Sequence, residues 1–74
     1  MSNEERVRRV LETTLGISIT PGSDVRREEE PRWDSLKHVA LIFAIEDEFD
    51  VQLTEQQMER IDSLRAIVEA VDAA

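Results

Sequence analysis

The stretch Trp33-Asp34-Ser35-Leu36-Lys37-His38-Val39-Ala40-Leu41-Ile42-Phe43-Ala44-Ile45-Glu46-Asp47-Glu48-Phe49-Asp50-Val51 decides the fold. Leu36, Val39, Ile42, Phe43, Ile45 and Phe49 recur at helical spacing, with Ala40, Leu41 and Ala44 between them. They predict a helix over residues 35–49. Asp34 or Ser35 supplies an oxygen to cap its first turn. The apolar face is wide, which suits a helix packed on two or more neighbours. Its last turn carries Glu46, Asp47 and Glu48, acids that oppose the macrodipole and repel one another. A functional use and a plain solvated acidic face account for that cluster equally well.

Upstream, Ser2 followed three residues later by Glu5 is a capping-box pattern. Val7, Val10, Leu11 and Leu15 form one apolar stripe, and Gly16 sits where a helix C-terminus needs positive φ. These residues predict helix 1 over 3–15. Residues 16–34 read as a long loop: Thr20-Pro21-Gly22-Ser23 is turn chemistry, and Arg26 to Glu30 is a mixed charge run closed by Pro31. Long connections in small domains are often functional, although most of this one reads as a solvated linker. Downstream, Thr54-Glu55-Gln56-Gln57 is a second capping box and opens a short helix 3 over 55–61. Asp62 or Ser63 caps helix 4 over 63–72, whose stripe is Leu64, Ile67, Val68 and Val71. No internal repeat and no strand pattern is seen. The expected fold is all-α, a single domain 1–74: a four-helix bundle with three longer helices, one short one and a long first connection.

Composition narrows the function. Seventy-four residues with 17 acids, 9 bases and a net charge of -8 make one small acidic domain. Such a chain lacks the basic face that nucleic acid or an anionic membrane requires. The net negative charge is concentrated after residue 37, where nine acids face two bases, so a basic partner is drawn to the second half. Without cysteine there is no disulfide, thiolate metal site or cysteine nucleophile, and the lone His38 excludes a multi-histidine site. No apolar run has membrane length and Met1 opens no signal segment, so the expected location is the cytoplasm. Enzyme readings fail too. Ser35 and His38 can share a helical face, but no acid orients the histidine and nothing supplies an oxyanion hole. A solvent-facing His38 is expected instead. Residues 46–59 are acidic but lack the glycine and alternating ligands of a calcium loop.

Asp34-Ser35-Leu36 is what remains. A serine at a helix N-terminus sits beside free N–H groups and the positive end of the dipole, where a phosphate ester is favoured. An Asp-Ser pair before an arbitrary helix is simply a cap. The whole run from Trp33 to Val71, however, resembles the acyl carrier protein family. There an Asp-Ser-Leu opens helix 2, an apolar helix follows, and it ends in an acidic-Phe-Asp segment. Leu53, the second capping box, Met58, Ile61 and the final helix fit as well, whereas loop 16–32 matches in length alone.

That resemblance implies a non-catalytic carrier. A phosphopantetheinyl transferase would attach 4′-phosphopantetheine from coenzyme A to Ser35, and the arm's thiol would hold an acyl group as a thioester. Asp34 matches the acid that helps the transferase recognise the site, and Leu36 the apolar residue that partners touch. Glu46, Asp47 and Glu48 match the acidic end that faces basic patches on acyl-activating or acyl-transferring enzymes. Phe43, Leu53, Met58 and Ile61 fall where the arm or acyl chain is lined between helices 2 and 3, although each, taken singly, reads first as ordinary core. Arg32-Trp33 before the aspartate, and Lys37 and Ala40 in place of exposed acids, depart from the housekeeping fatty-acid carriers. The Trp33-Asp34-Ser35-Leu36 form looks like free-standing carriers used in specialised pathways, and like some carrier domains of peptide or polyketide assembly. Lys37 would repel an enzyme built for an all-acidic helix, and Trp33, expected half-buried, would cover the bundle end or touch a partner. A monomer is expected. A peptidyl or aminoacyl carrier, and a small acidic helical interaction module without a prosthetic group, are the alternatives.

Overall fold

The computed structural model describes residues 2–73; the expected domain ends at Met1 and Ala74 lie outside the described residues. Four α-helices are present among them: α1 (Asn3–Leu15), α2 (Ser35–Phe49), α3 (Glu55–Arg60) and α4 (Leu64–Ala73). A 3₁₀ turn at Arg27–Glu29 lies inside the connection read as loop. Helix α1 packs against both α2 and α4. One continuous core joins them: Val7, Leu11 and Leu15 from α1, Leu41, Ile42 and Ile45 from α2, Leu64, Ile67 and Val71 from α4, with Ile19, Trp33, Leu53 and Ile61 from the connections. The chain is thus an all-α bundle whose spacing of apolar residues faces inward on α1 and α4.

Each helix starts on a side-chain cap. Ser2 Oγ accepts from the Glu5 N–H at 3.2 Å, and Asp34 Oδ1 from the Lys37 N–H at 2.8 Å. Thr54 and Gln57 form a complete capping box, and Ser63 Oγ accepts from the Ala66 N–H at 3.0 Å. These groups satisfy orphan donors of the first turn.

The two long helices stop by one repeated device that the sequence reading did not find. In α1 the N–H groups of Gly16 and Ile17 converge on the Glu12 carbonyl, and Glu12 Oε2 accepts from the Ile19 N–H at 2.9 Å. In α2 the N–H groups of Asp50 and Val51 converge on the Glu46 carbonyl, and Glu46 Oε2 accepts from the Leu53 N–H at 2.9 Å. Gly16 and Asp50 both take left-handed backbone, φ 69° and φ 51°. The residues repeat accordingly, Glu12-x-x-Leu15-Gly16-Ile17-x-Ile19 against Glu46-x-x-Phe49-Asp50-Val51-x-Leu53. The left-handed residue reverses the chain, the glutamate ties down the returning backbone, and the alternate apolar residues re-enter the core.

The long connection is not the loosely solvated linker expected from its charge. Arg26 and Ser63 form an isolated antiparallel bridge, with Arg27 N–H donating to the Asp62 carbonyl and Leu64 N–H to the Val25 carbonyl, each at 2.8 Å. Asp24 Oδ1 accepts from the Arg65 N–H at 3.0 Å, an external cap on α4. Nearer α2, Arg32 donates to the Gly16 carbonyl and Arg27 Nε to the Trp33 carbonyl. The segment that delivers the chain into α2 is therefore anchored at both ends.

Candidate functional site

Ser35 is the first residue of α2 and is exposed. The cap is Asp34, so the Ser35 hydroxyl stays outside the capping hydrogen bonds and faces solvent at the positive end of the helix. Asp34, Leu36 and Lys37 are exposed around it. The arrangement presents a reachable hydroxyl with an acid, a lysine and a large apolar side chain beside it.

Not all of the apolar width of α2 is packed. Leu36, Val39 and Phe43 are 78%, 53% and 67% exposed. At spacings of three and four residues they make one stripe running from Ser35 toward the acidic end. Leu41, Ile42 and Ile45 occupy the opposite, buried side. The neighbours of α2 therefore leave part of its apolar width open, and Phe43 in particular lies outside the core rather than in it. Phe43 lies two residues from both Leu41 and Ile45, about 200° round the helix from each, so it cannot share their inward face. The other residues expected between α2 and α3 are interior: Leu53 and Ile61 are buried and Met58 partly so.

The acidic end is largely occupied by the protein itself. The Glu46 carboxylate holds Leu53. Glu48 pairs with Arg6 Nε at 3.0 Å, and Arg6 Nη2 donates to the Glu48 carbonyl at 2.8 Å while its guanidinium lies 4.3 Å from the centre of the Phe49 ring. One cation from α1 thus answers both the carboxylate and the negative end of the dipole. Asp47 is exposed and free of ion pairs among the described residues.

His38 is partly buried rather than solvent-facing. Its Nδ1 accepts from Trp33 Nε1–H at 3.0 Å, and its Nε2–H donates to the Met58 carbonyl at 3.0 Å. An indole only donates and a carbonyl only accepts, so both ring nitrogens are committed and the tautomer is fixed. The two rings meet edge to edge and are nearly coplanar, inclined by 24° with their centres 6.2 Å apart. The Met58 carbonyl belongs to the last turn of α3, where intrahelical donors run out, which is why a side chain can take it. Thus His38 has no free nitrogen to act as a base on Ser35. Trp33 is 2% exposed, deeper than the half-buried position expected, because its polar edge finds a partner inside.

Among the described residues no three His, Asp or Glu side chains are disposed to hold a metal ion, and no helix is long and apolar enough to cross a membrane. The sequence profile of the family described as "Phosphopantetheine attachment site" matches residues 5–71, from the first turn of α1 to near the end of α4. With that match over nearly the whole helical bundle, the chain belongs to the phosphopantetheine attachment site family, whose members are carrier proteins bearing 4′-phosphopantetheine.

Proposed function

We propose that this chain is an acyl carrier protein of a specialised pathway, with the prosthetic arm on the Ser35 hydroxyl. The observation that carries the reading is the division of labour at the start of α2: Asp34 caps the helix and leaves the neighbouring Ser35 exposed and uncommitted. The residues present fit a phosphodiester there. The first-turn N–H groups and the helix dipole favour the negative charge, Lys37 adds a cation, and nothing covers the hydroxyl. The bound arm supplies a thiol that carries an acyl group as a thioester, chemistry this cysteine-free chain does not itself contain.

The chain's own part is presentation. Asp34 holds the first turn and offers an acid to the modifying transferase. The Leu36–Val39–Phe43 stripe offers partner enzymes an apolar surface beside the loaded arm, and exposed Asp47 offers a charge for a basic patch. The first two turns of α2 expose Lys37 and no acid, which favours a dedicated partner over the enzymes of general fatty-acid synthesis. The same feature supports an aminoacyl or peptidyl carrier as the second reading.

Intact mass tests the proposal. Purified protein is incubated with coenzyme A, Mg²⁺ and a promiscuous phosphopantetheinyl transferase, beside Ser35→Ala. A gain of one phosphopantetheine on the wild type alone is expected. No gain on folded protein, with the transferase active on another carrier, would leave an interaction module and overturn the carrier reading. Gain on Ser35→Ala would move the attachment to another residue.

A further inference from the structure

The indole of Trp33, the imidazole of His38 and the carbonyl of Met58 form a continuous hydrogen-bonded bridge from the segment before Ser35, through the first turn of α2, to the end of α3. Beneath it the interior is closely filled: Leu41, Ile45 and Ile67 are 0% exposed and Ile61 is 1%. An apolar group tethered at Ser35 that turned inward between α2 and α3 would have to separate the two helices. It would thereby break both hydrogen bonds and strand the buried indole N–H and the Met58 carbonyl. The exterior imposes no such cost, since the Leu36–Val39–Phe43 stripe already lies open beside Ser35.

We propose that Trp33 and His38 are specificity-determining positioning residues: their bridge to Met58 keeps the α2–α3 seam shut, so the thioester-bound cargo stays outside the bundle. The inference rests on Ser35 carrying the arm. Cargo held outside gains no shelter from added methylenes, so the chain serves short or polar acyl groups that need none. Partner enzymes meet the thioester without first extracting it.

The test loads wild type with acetyl- or octanoyl-phosphopantetheine from the corresponding coenzyme A esters, checks each product by intact mass, and then reads two quantities. The first is the backbone amide shifts of Leu41, Ile45, Ile61 and Ile67. The second is the rate of thioester hydrolysis. The amide shifts are expected to match between the two loaded forms, and the hydrolysis rates to agree within about twofold. Each methylene that entered the core would instead shelter the thioester by up to about fourfold. In His38→Ala the bridge is cut, and octanoyl hydrolysis is expected to slow relative to acetyl while the core amides move. If that variant does not fold, Trp33→Phe, which keeps an aromatic ring but removes the N–H donor, takes its place. Octanoyl-dependent core shifts or sheltered hydrolysis in the loaded wild type would overturn the closed seam while leaving the carrier reading intact. Absence of any mass gain would overturn both.

Discussion

Glu46 separates two roles that the acidic end of α2 could play. If its carboxylate serves only as surface charge, removing it relieves repulsion with Asp47, Glu48 and Asp50 and with the helix dipole. That gain is about 0.3–1 kcal/mol. The structure gives the group other work: Oε2 accepts the Leu53 N–H at 2.9 Å, and Leu53 is 4% exposed. Glu46→Ala leaves that N–H without a partner where water reaches it poorly, a loss of about 1–3 kcal/mol. The net expectation is a destabilisation of about 1–2 kcal/mol, or a fall in Tm of roughly 4–16 °C for a domain of this size. Glu46→Gln keeps an acceptor at the same reach. It gives up charge assistance but also gives up repulsion, so it is expected within about 0.5 kcal/mol of wild type. Urea unfolding gives the free energies. Hydrogen exchange at Leu53 locates the effect, with protection lost in the alanine variant and retained in the glutamine one. An alanine variant as stable as wild type, or more so, would refute the internal role and return Glu46 to the surface.

The left-handed residues give a matched pair. Nothing lies within 4 Å of a Cβ built on Gly16 (φ +69°), so Gly16→Ala isolates backbone strain and should cost about 1–2 kcal/mol. Asp50→Gly relieves the same strain and one misplaced charge and should stabilise by about 0.5–1 kcal/mol; thermal unfolding of both checks the pairing, and an Asp50→Gly variant of lowered Tm would contradict it. Arg6→Gln removes the ion pair and the cation over Phe49, both partly exposed, and should cost about 1 kcal/mol at low salt and less in 1 M NaCl, read by urea unfolding. Lys37→Glu should tighten binding to a basic-patched synthase of general fatty-acid metabolism by up to about fivefold, measured by titration calorimetry at fixed salt. Unchanged affinity would remove Lys37 from partner choice.

The helices were legible because their signals are local. Ser2, Thr54 and Ser63 cap where cap chemistry places them, and α1 and α4 carry apolar residues on one side only. Helix α2 was legible as a helix but not in orientation. With Leu36, Val39 and Phe43 on one side and Leu41, Ile42 and Ile45 on the other, periodicity cannot tell which face is covered. The stapling of residues 24–27 to residues 62–65 joins positions about forty apart, mostly through backbone groups, so a mixed charge run read alone looks like linker. The helix-ending repeat was hidden because Gly16 and Asp50 share a conformation, not a residue type. His38 was misplaced because a polar residue three after a serine reads as surface, whereas its burial is set by two partners, one of them a main-chain carbonyl.

The net charge of -8 overstates how acidic the exposed surface of α2 is. Of the four acids near the end of α2, Glu46 is held by Leu53 and the exposed Glu48 is paired with Arg6, which leaves Asp47 and the chain-reversing Asp50 exposed and outside any ion pair among the described residues. Near Ser35 the exposed charge is the balanced pair Asp34 and Lys37, and between the two ends lies an uncharged apolar stripe. On the carrier reading, attraction at a distance comes from the acidic second half, but the surface that meets the partner is mostly hydrocarbon. Screening by salt should therefore slow association more than it speeds dissociation, because exposed charge governs encounter while desolvated apolar contact governs residence. A partner held by contour, with Lys37 turning away enzymes built for an all-acidic helix, suits a carrier whose first turn carries a lysine.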